Sequence, residues 1–273
     1  MFREKSWCRV YGGESRMVIA ILQARTSSRR LPGKVLKPLL GMPMILRELE
    51  RIQQSRGIDR VVLATSTDPS DDGLTTAVQA FGVEVFRGSL SDPLDRYYQC
   101  ASQYSADHVV RLTGDCPLLD GRVIDAVIEA HLRGHHDYTS NTLTLTYPDG
   151  LDTEVMKFSA LKKAWQEAKM TSEREHVTPY ILKHPEIFQL GGVTNVEDYS
   201  AMRWTVDEPE DYRFVAQVYE ALYPLKAAFT MEDVIELIEK RPELAQINQN
   251  FSRNEGLQKS LREDTVWKGE AGT

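Results

Sequence analysis

The chain has 273 residues, 41% hydrophobic and 27% charged, with 33 basic against 40 acidic side chains and a formal net charge of -7 at pH 7. These totals fit a globular chain of one large α/β domain or two small ones, and the acidic surplus excludes a general nucleic-acid binder while leaving room for a local basic pocket. Cys8, Cys100 and Cys116 form no C-x-x-C pair and are odd in number, which argues against a disulfide framework and fits a cytoplasmic protein; no apolar run approaches the length of a membrane span.

The opening stretch has charges without an intervening apolar core, so it does not read as a secretory signal. Residues 1–16 lack strand or helix periodicity and are expected to be a disordered extension, with Met17 directly before the first strand. Val18 to Leu22 is a continuous apolar run with β-branched members, the pattern of a strand buried on both faces. A basic loop follows, punctuated at Pro38 and Gly41, and Met44 to Gln53 reads as an amphipathic helix with Ile45, Leu49 and Ile52 on one face. Val61 to Ala64 is a second buried strand, and Ser70-Asp71-Asp72 caps the next helix. Val83 to Phe86 is a strand, Asp92 to Tyr104 a helix, His108 to Leu112 a strand and Val123 to Leu132 a helix. This alternation with short connections predicts a doubly wound, mostly parallel sheet.

The second half is less regular. Tyr138 to Thr146 is polar and β-prone, Tyr147-Pro148-Asp149-Gly150 is a turn signal, and Leu151 to Met156 reads as extended. Ala160 to Ala168 and Glu173 to His184 read as helices, Trp204 to Val206 as a short strand, and Tyr212 to Leu222 and Met231 to Lys240 as helices. Beyond about Asn248 the composition turns polar, as in a tail or a surface arm. The expected organisation is a domain over 17–248, with an acceptor and dimer sub-region at about 138–200, and a polar tail over 249–273.

Chemistry concentrates first in the loop after the first strand. Arg25, Arg29, Arg30 and Lys34 fall within ten residues, and no Asp or Glu occurs from Ser15 to Arg47. Four cations at the carboxyl end of a buried strand suit a polyanion such as a nucleoside triphosphate; a solvated basic turn is the plainer alternative. The loop fails the Walker A pattern, because Ser28 replaces its first Gly and Val35 follows Lys34. Asp115 follows the fourth strand after a Gly, either to hold Mg²⁺ against phosphates or as an Asx-turn residue. Asp207 ends the Trp204 to Val206 strand, while Glu210 and Asp211 are explained by the positive end of the next helix. Two acids beside a basic loop suggest metal-assisted attack on a phosphate.

In these residues the chain resembles the cytidylyltransferases that activate acidic sugars, including the CMP-Kdo and CMP-sialic acid synthetases, and is most like the spore coat polysaccharide biosynthesis protein F group. The resemblance runs from about Met17 to Asp264. It rests on Gln23-Ala24-Arg25 through Ser28, Arg30 and Leu31-Pro32-Gly33-Lys34; on Leu112 to Leu118; on Tyr147 to Asp152; on Glu173 to Thr178; and on Arg203 to Asp207. It implies a three-layer α/β/α Rossmann-like nucleotidyltransferase fold with a mostly parallel sheet, Mg²⁺ dependence and a homodimer, with a role in surface polysaccharide biosynthesis. By motif position Arg25, Ser28, Arg30 and Lys34 would bind the CTP phosphates, Arg29 would face solvent, and Asp115 and Asp207 would be the metal carboxylates. Gln23, Ala24, Ala64 and Thr65 would complete the nucleotide site. Gln23 stands where the better-known synthetases carry Pro, and the acceptor segments around Asp149 and His176 also differ from theirs, which leaves the sugar open.

Arg111 points either to the core side of its strand or to the nucleotide, and if buried it needs an anion. On the acceptor side, Asp149, Asp152, Glu154 and His176 are the candidates for a polyol or carboxylate, with Asp152 and Glu154 on one face if the segment is a strand. His131, His135 and His136 read as helix-end histidines rather than metal ligands. Cys116 has no paired His in sequence to make it a nucleophile. The leading expectation is therefore an enzyme in which a hydroxyl of an acidic sugar or similar acceptor attacks the α-phosphate of CTP. The alternatives are a nucleotide-sugar glycosyltransferase on a similar sheet, a nucleotidyltransferase acting on a phosphonate or other non-sugar acceptor, and a non-catalytic nucleotide binder.

Overall fold

The computed structural model describes residues 10–11, 14–28 and 30–269. Residues 1–9 and 12–13 of the expected disordered extension lie outside the described residues; of the remainder, β1 (Val10–Tyr11) pairs antiparallel with β2 (Glu14–Ser15). The chain continues through β3 (Val18–Gln23), a small hairpin of β4 (Pro38–Leu39) and β5 (Met42–Pro43), α1 (Met44–Ile52), β6 (Arg60–Ser66), α2 (Asp72–Ala80), β7 (Glu84–Gly88), α3 (Pro93–Gln103), β8 (His108–Thr113) and α4 (Gly121–Gly134). After these come β9 (Tyr138–Ser140), β10 (Glu154–Lys157), α5 (Phe158–Glu167), α6 (Thr171–His176), α7 (Pro179–Lys183), β11 (Leu190–Gly192), α8 (Pro209–Leu222), α9 (Met231–Lys240) and α10 (Glu255–Arg262). No helix among the described residues is long and apolar enough to cross a membrane.

Seven strands form the main sheet in the order β11-β9-β10-β8-β3-β6-β7. All neighbours run parallel except β10, which is antiparallel to both β8 and β9. The unbroken apolar run of β3 has its cause in the packing. Val18, Ala20 and Leu22 meet Ile45 and Leu49 of α1 and Ile124 and Val127 of α4 on one face. Ile19 and Ile21 meet Leu94 and Tyr97 of α3 and Leu161 of α5 on the other. Both faces are dry, so no alternation of polar residues survives, and helices lie on both sides of the sheet as the three-layer expectation required. The chain moves from β3 outward to β6 and β7, then returns to β8 on the opposite side of β3. This reversal opens a crevice at the carboxyl ends of β3 and β8, where open α/β sheets bind ligands. A third apolar cluster packs Phe214 and Val218 of α8 and Val234 and Ile238 of α9 against Leu31, Leu118, Tyr147, Leu151, Trp204 and Val206. It fixes the C-terminal helices against the segments that follow β3 and β8.

Three expectations for the second half are corrected. Of Tyr138 to Thr146 only Tyr138–Ser140 forms a strand. The helix expected over Glu173 to His184 is two short helices, α6 and α7. Val177 between them takes φ 71, and Pro179, at the start of α7, has no N–H to continue the first. Trp204 to Val206 is not a strand. Trp204 N donates to Asp149 O at 2.6 Å and Val206 N to Asp115 O at 2.7 Å, so the two alternate N–H groups go to two separate loops and no ladder forms.

Pro148 to Leu151 closes a turn through Leu151 N to Pro148 O at 3.1 Å, with Gly150 at φ 109. A Cβ at Gly150 would lie 2.6 Å from Thr205 N and 2.7 Å from the Trp204 carbonyl carbon, so neither conformation nor space admits a side chain. Gly150→Ala is expected to cost about 2–4 kcal/mol of unfolding free energy in urea titrations, against less than about 1 kcal/mol for Gly192→Ala. A Cβ at Gly192 meets only Leu143, at 4.0 Å.

Candidate active site

The ends of three parallel strands set the floor of the crevice. Gly114 N donates to Gln23 O at 2.7 Å and Ala24 N to Ala64 O at 3.3 Å, which ties the residue after β8 to the end of β3 and the residue after β3 to β6. The basic loop is then tied down by a residue that sequence reasoning had read only as a helix cap. Asp71 is fully buried and accepts from Thr26 N and Thr26 Oγ1, each at 2.8 Å, and from Thr65 Oγ1 at 3.0 Å. Burial opposes its ionisation, but the hydrogen bonds from Ser66, Thr26 and Thr65 hold the carboxyl below the usual carboxylate range. Thr65 thus serves the loop with its side chain, and Ala64 contributes a carbonyl. Gly33 N closes the loop on Thr26 O at 3.0 Å, and Gly33 at φ 66 starts the 3-10 turn Lys34–Leu36 that turns Lys34 inward.

Lys34 is buried, and its Nζ donates to Asp115 Oδ2 at 3.1 Å, Asp207 Oδ1 at 2.9 Å and Val206 O at 2.8 Å. Burial alone would lower the Lys34 pKa, yet the charges of Asp115 and Asp207 raise it. Burial likewise works against Asp115, while Lys34 and hydrogen bonds from Thr113, Lys34 and Cys116 bring its pKa down. Arg30 pairs with Asp207 at 2.8 Å, Glu208 at 3.3 Å and Glu255 at 3.4 Å. Ser28 Oγ accepts from Leu31 N at 3.4 Å. Arg25 is exposed and has no hydrogen bond or ion pair among the described residues. Arg29 lies outside the described residues. The Gln23 Oε1 atom is buried without a hydrogen-bond partner among them.

Asp207 is held from behind. Arg203 forks onto Asp211 with two bonds of 2.9 Å, and Asp211 accepts from Asp207 N at 3.0 Å and Glu208 N at 2.9 Å. Asp211 is therefore both the first-turn acid expected from sequence at the positive end of its helix and the residue that orients the Asp207 backbone. Cys116 is buried beside Asp115, and burial with the charge of Asp115 pushes its thiol well up, which keeps it protonated.

The remaining candidates divide into two groups. The β8–β10 register places Glu154 opposite Arg111, and the two form an ion pair. Glu154 Oε1 also accepts from Tyr138 OH at 2.5 Å and Thr178 Oγ1 at 2.8 Å. The anion required by the partly buried Arg111 is thus a protein carboxylate. Nearby, His176 Nε2 is buried without a hydrogen-bond partner, and burial lowers its pKa. The second group is Asp149 and Asp152. Asp149 lies 3.3 Å from Arg203 and 3.7 Å from Arg253, and Asp152 pairs with Arg253. Burial and the charge of Asp152 push the Asp149 carboxyl up to about 7. Burial, reinforced by Glu154 and Asp115 against the opposing Arg253, pushes Asp152 up to about 6.

The chain matches the model of the cytidylyltransferase family over residues 19–255. It belongs to that family. The cytidylyltransferase is thus a nucleotidyltransferase enzyme, as its motifs implied. It is 32% identical over 235 residues to the spore coat polysaccharide biosynthesis protein SpsF of Bacillus subtilis (strain 168), covering 84% of this chain and 96% of that protein. A cytidylyltransferase structure from Leptospira borgpetersenii serovar Hardjo-bovis (strain JB197) superposes with a TM-score of 0.81 at 34% identity, over 87% of this chain and 100% of that one. A CMP:2-keto-3-deoxy-manno-octonic acid synthetase complexed with CTP shares the fold, with a TM-score of 0.57 at 19% identity over 75% and 98% of the two chains.

Sequence reasoning missed Asp71, the orienting role of Asp211, and Arg253. An Asp at a helix start looks like a cap whether or not it also reaches a neighbouring loop, and nothing in the tail's composition marks Arg253. Asp211 generates a test. Burial would raise its pKa, but Arg203, Asn248 and two backbone N–H groups lower it. Its contribution to stability is therefore complete above the unfolded Asp pKa of about 3.9 and is lost as pH falls through the lower folded value. Asp211→Asn is expected to destabilise by about 3 kcal/mol at pH 7, with the difference from wild type shrinking below about pH 4 in denaturation series.

Proposed function

We propose that this cytidylyltransferase transfers CMP from CTP to an acidic sugar or a related acceptor, releasing pyrophosphate, in the synthesis of a surface glycoconjugate. The observation that carries this reading is the convergence of Lys34, Asp115 and Asp207 at the switch point. The two carboxylates come within 3.1 and 2.9 Å of one ammonium, so cationic charge is stable between them. Their all-oxygen donor set fits Mg²⁺, which takes one or two carboxylates and completes its shell with water and phosphate oxygens. When bound there, the ion would neutralise phosphate charge and align nucleophile and leaving group.

The chain's own residues supply the rest. Exposed Arg25 and Arg30, with Ser28 and Lys34, would hold the β- and γ-phosphates and receive the pyrophosphate as its bond to the α-phosphorus breaks. The Gln23 Oε1, unpartnered among the described residues, is an acceptor of the kind that the amino group of cytosine would satisfy, beside Ala24, Ala64 and Thr65. An acceptor hydroxyl would attack the α-phosphorus in line from the side of Asp149, Asp152 and His176. Glu154, saturated by Arg111, Tyr138 and Thr178, would shape that pocket and hold Arg111 toward it. The acid sugar named in the CTP-bound synthetase supports an acidic acceptor, and the spore coat relative supports polysaccharide biosynthesis. Within the proposed sub-region of about 138–200, exposed Leu143, Leu145 and Val196 support a homodimer contact.

The decisive measurement is pyrophosphate release from each of four nucleoside triphosphates against acidic sugars and phosphonates. CTP with an acidic sugar and Mg²⁺ is expected to turn over, and EDTA is expected to abolish it. Release only with a phosphonate, or none without a sugar-nucleotide donor, would sink this reading. Asp115→Asn and Asp207→Asn are expected to lower kcat by at least about 100-fold with a native circular dichroism spectrum. Wild-type turnover in both would remove the metal assignment.

A further inference from the structure

The polar C-terminal segment does not leave the molecule. Asn248 Nδ2 donates to Arg203 O at 3.0 Å, and Ser252 O accepts from Arg203 Nη1 at 3.0 Å. Glu255 accepts from Ser252 N at 3.1 Å and pairs with Arg30 at 3.4 Å. Beyond it, α10 has no buried residue and is held by polar contacts. Ser260 Oγ donates to Glu175 at 2.9 Å, Asp264 accepts from Ser172 N at 2.9 Å, and Thr171 N donates to Thr265 O at 2.8 Å. The arm thus crosses from the basic loop to α6, over the acceptor side of the crevice.

Arg253 is the residue that the arm lowers into that side. Its side chain is only 12% exposed. Nη1 donates to Tyr147 O at 3.1 Å, Nη2 bonds to Asp152, and Nε lies 3.7 Å from Asp149 Oδ1 without a hydrogen-bond partner. Among the described residues Asp152 has no other ion-pair partner. Asp149 also meets Arg203, but that guanidinium is committed to Asp211 by two bonds of 2.9 Å. Without Arg253, two carboxylates close to Asp115 would face an incoming acceptor with little compensation, and a buried charge left unpaired is costly. A guanidinium has five N–H donors, and Arg253 spends two of them on the bonds given above.

We propose that Arg253 determines acceptor specificity: from the C-terminal arm it neutralises the Asp149–Asp152 pair and offers its remaining N–H donors to the anionic group of an acidic acceptor. The proposal rests on the cytidylyl-transfer reading above. Like charges placed across a recognition site discriminate strongly against the wrong partner, so one cation suffices to change which acceptor enters.

The test compares 2-keto-3-deoxy-manno-octonic acid with its uncharged C1 amide as acceptors, by steady-state pyrophosphate release with CTP and Mg²⁺. Arg253→Gln is expected to raise KM for the acid by about tenfold or more, to leave KM for CTP within about twofold, and to reduce the acid-over-amide preference by about tenfold. Arg253→Lys keeps the charge and is expected to recover part of that preference. Ser260→Ala loosens the arm without changing the charge of the pocket and is expected to keep the wild-type preference. An active wild type matched by Arg253→Gln in acid-over-amide preference overturns the Arg253 assignment alone, as does an equal loss of CTP and acid affinity. A wild type silent with CTP and every acidic sugar tested overturns the underlying reading together with the assignment, and the two failures are told apart by wild-type activity.

Discussion

The Lys34 ammonium, out of reach of most solvent, bonds to groups 81, 172 and 173 residues along the chain, and that contact constrains everything around it. Burying an ammonium costs several kcal/mol unless anions and acceptors surround it. Asp115 and Asp207 provide the charge and Val206 a carbonyl. The turn after β8, the stretch before α8 and the basic loop must therefore be in place together, or Lys34 is left uncompensated. The backbone supports the same arrangement, because Val206 N donates to Asp115 O and Asp211 holds the Asp207 N–H. Two carboxylates that would repel one another are kept side by side by a cation between them.

The acid-free span from Ser15 to Arg47 acquires a physical meaning here. The cations of its basic loop have no carboxylate nearby in sequence, so Arg30 and Lys34 find partners in distant parts of the chain. Lys34 takes Asp115 and Asp207; Arg30 takes Asp207, Glu208 and Glu255. Arg25 remains unpaired among the described residues and exposed beside the crevice. The loop is both a source of positive potential for a polyanion and the clamp that draws the C-terminal third of the chain over the sheet. Across the crevice the balance is reversed: Asp149 and Asp152 exceed the local cations until the arm brings Arg253.

The sheet was legible because its strands are buried on both faces, and a continuous run such as Val18–Leu22 has few other uses. Helices with one apolar face, such as Met44–Ile52, were equally plain. Errors arose where the residues were compatible with more than one partner. Trp204 to Val206 has the composition of a strand but bonds to two loops. Glu173 to His184 has helical periodicity, yet Pro179 interrupts it. Arg111 was left between a core and a ligand role, and only the antiparallel register of β10 put Glu154 opposite it. Asp71 passed as a helix cap because its contacts reach Thr26 in a distant loop and Thr65 on β6.

By itself, the sequence determined the alternation of strands and helices, the position of the crevice at a strand end, and the family through motifs distributed along most of the chain. These depend on local periodicity and on residue types at fixed spacing, both written in neighbouring positions. The tertiary structure alone decided which charges meet: Lys34 with both Asp115 and Asp207, Arg111 with Glu154, Arg203 with Asp211, and Arg253 with Asp149 and Asp152. A charge acts through space at a few ångströms, and which distant residues come that close depends on strand order and register, quantities that no local pattern encodes.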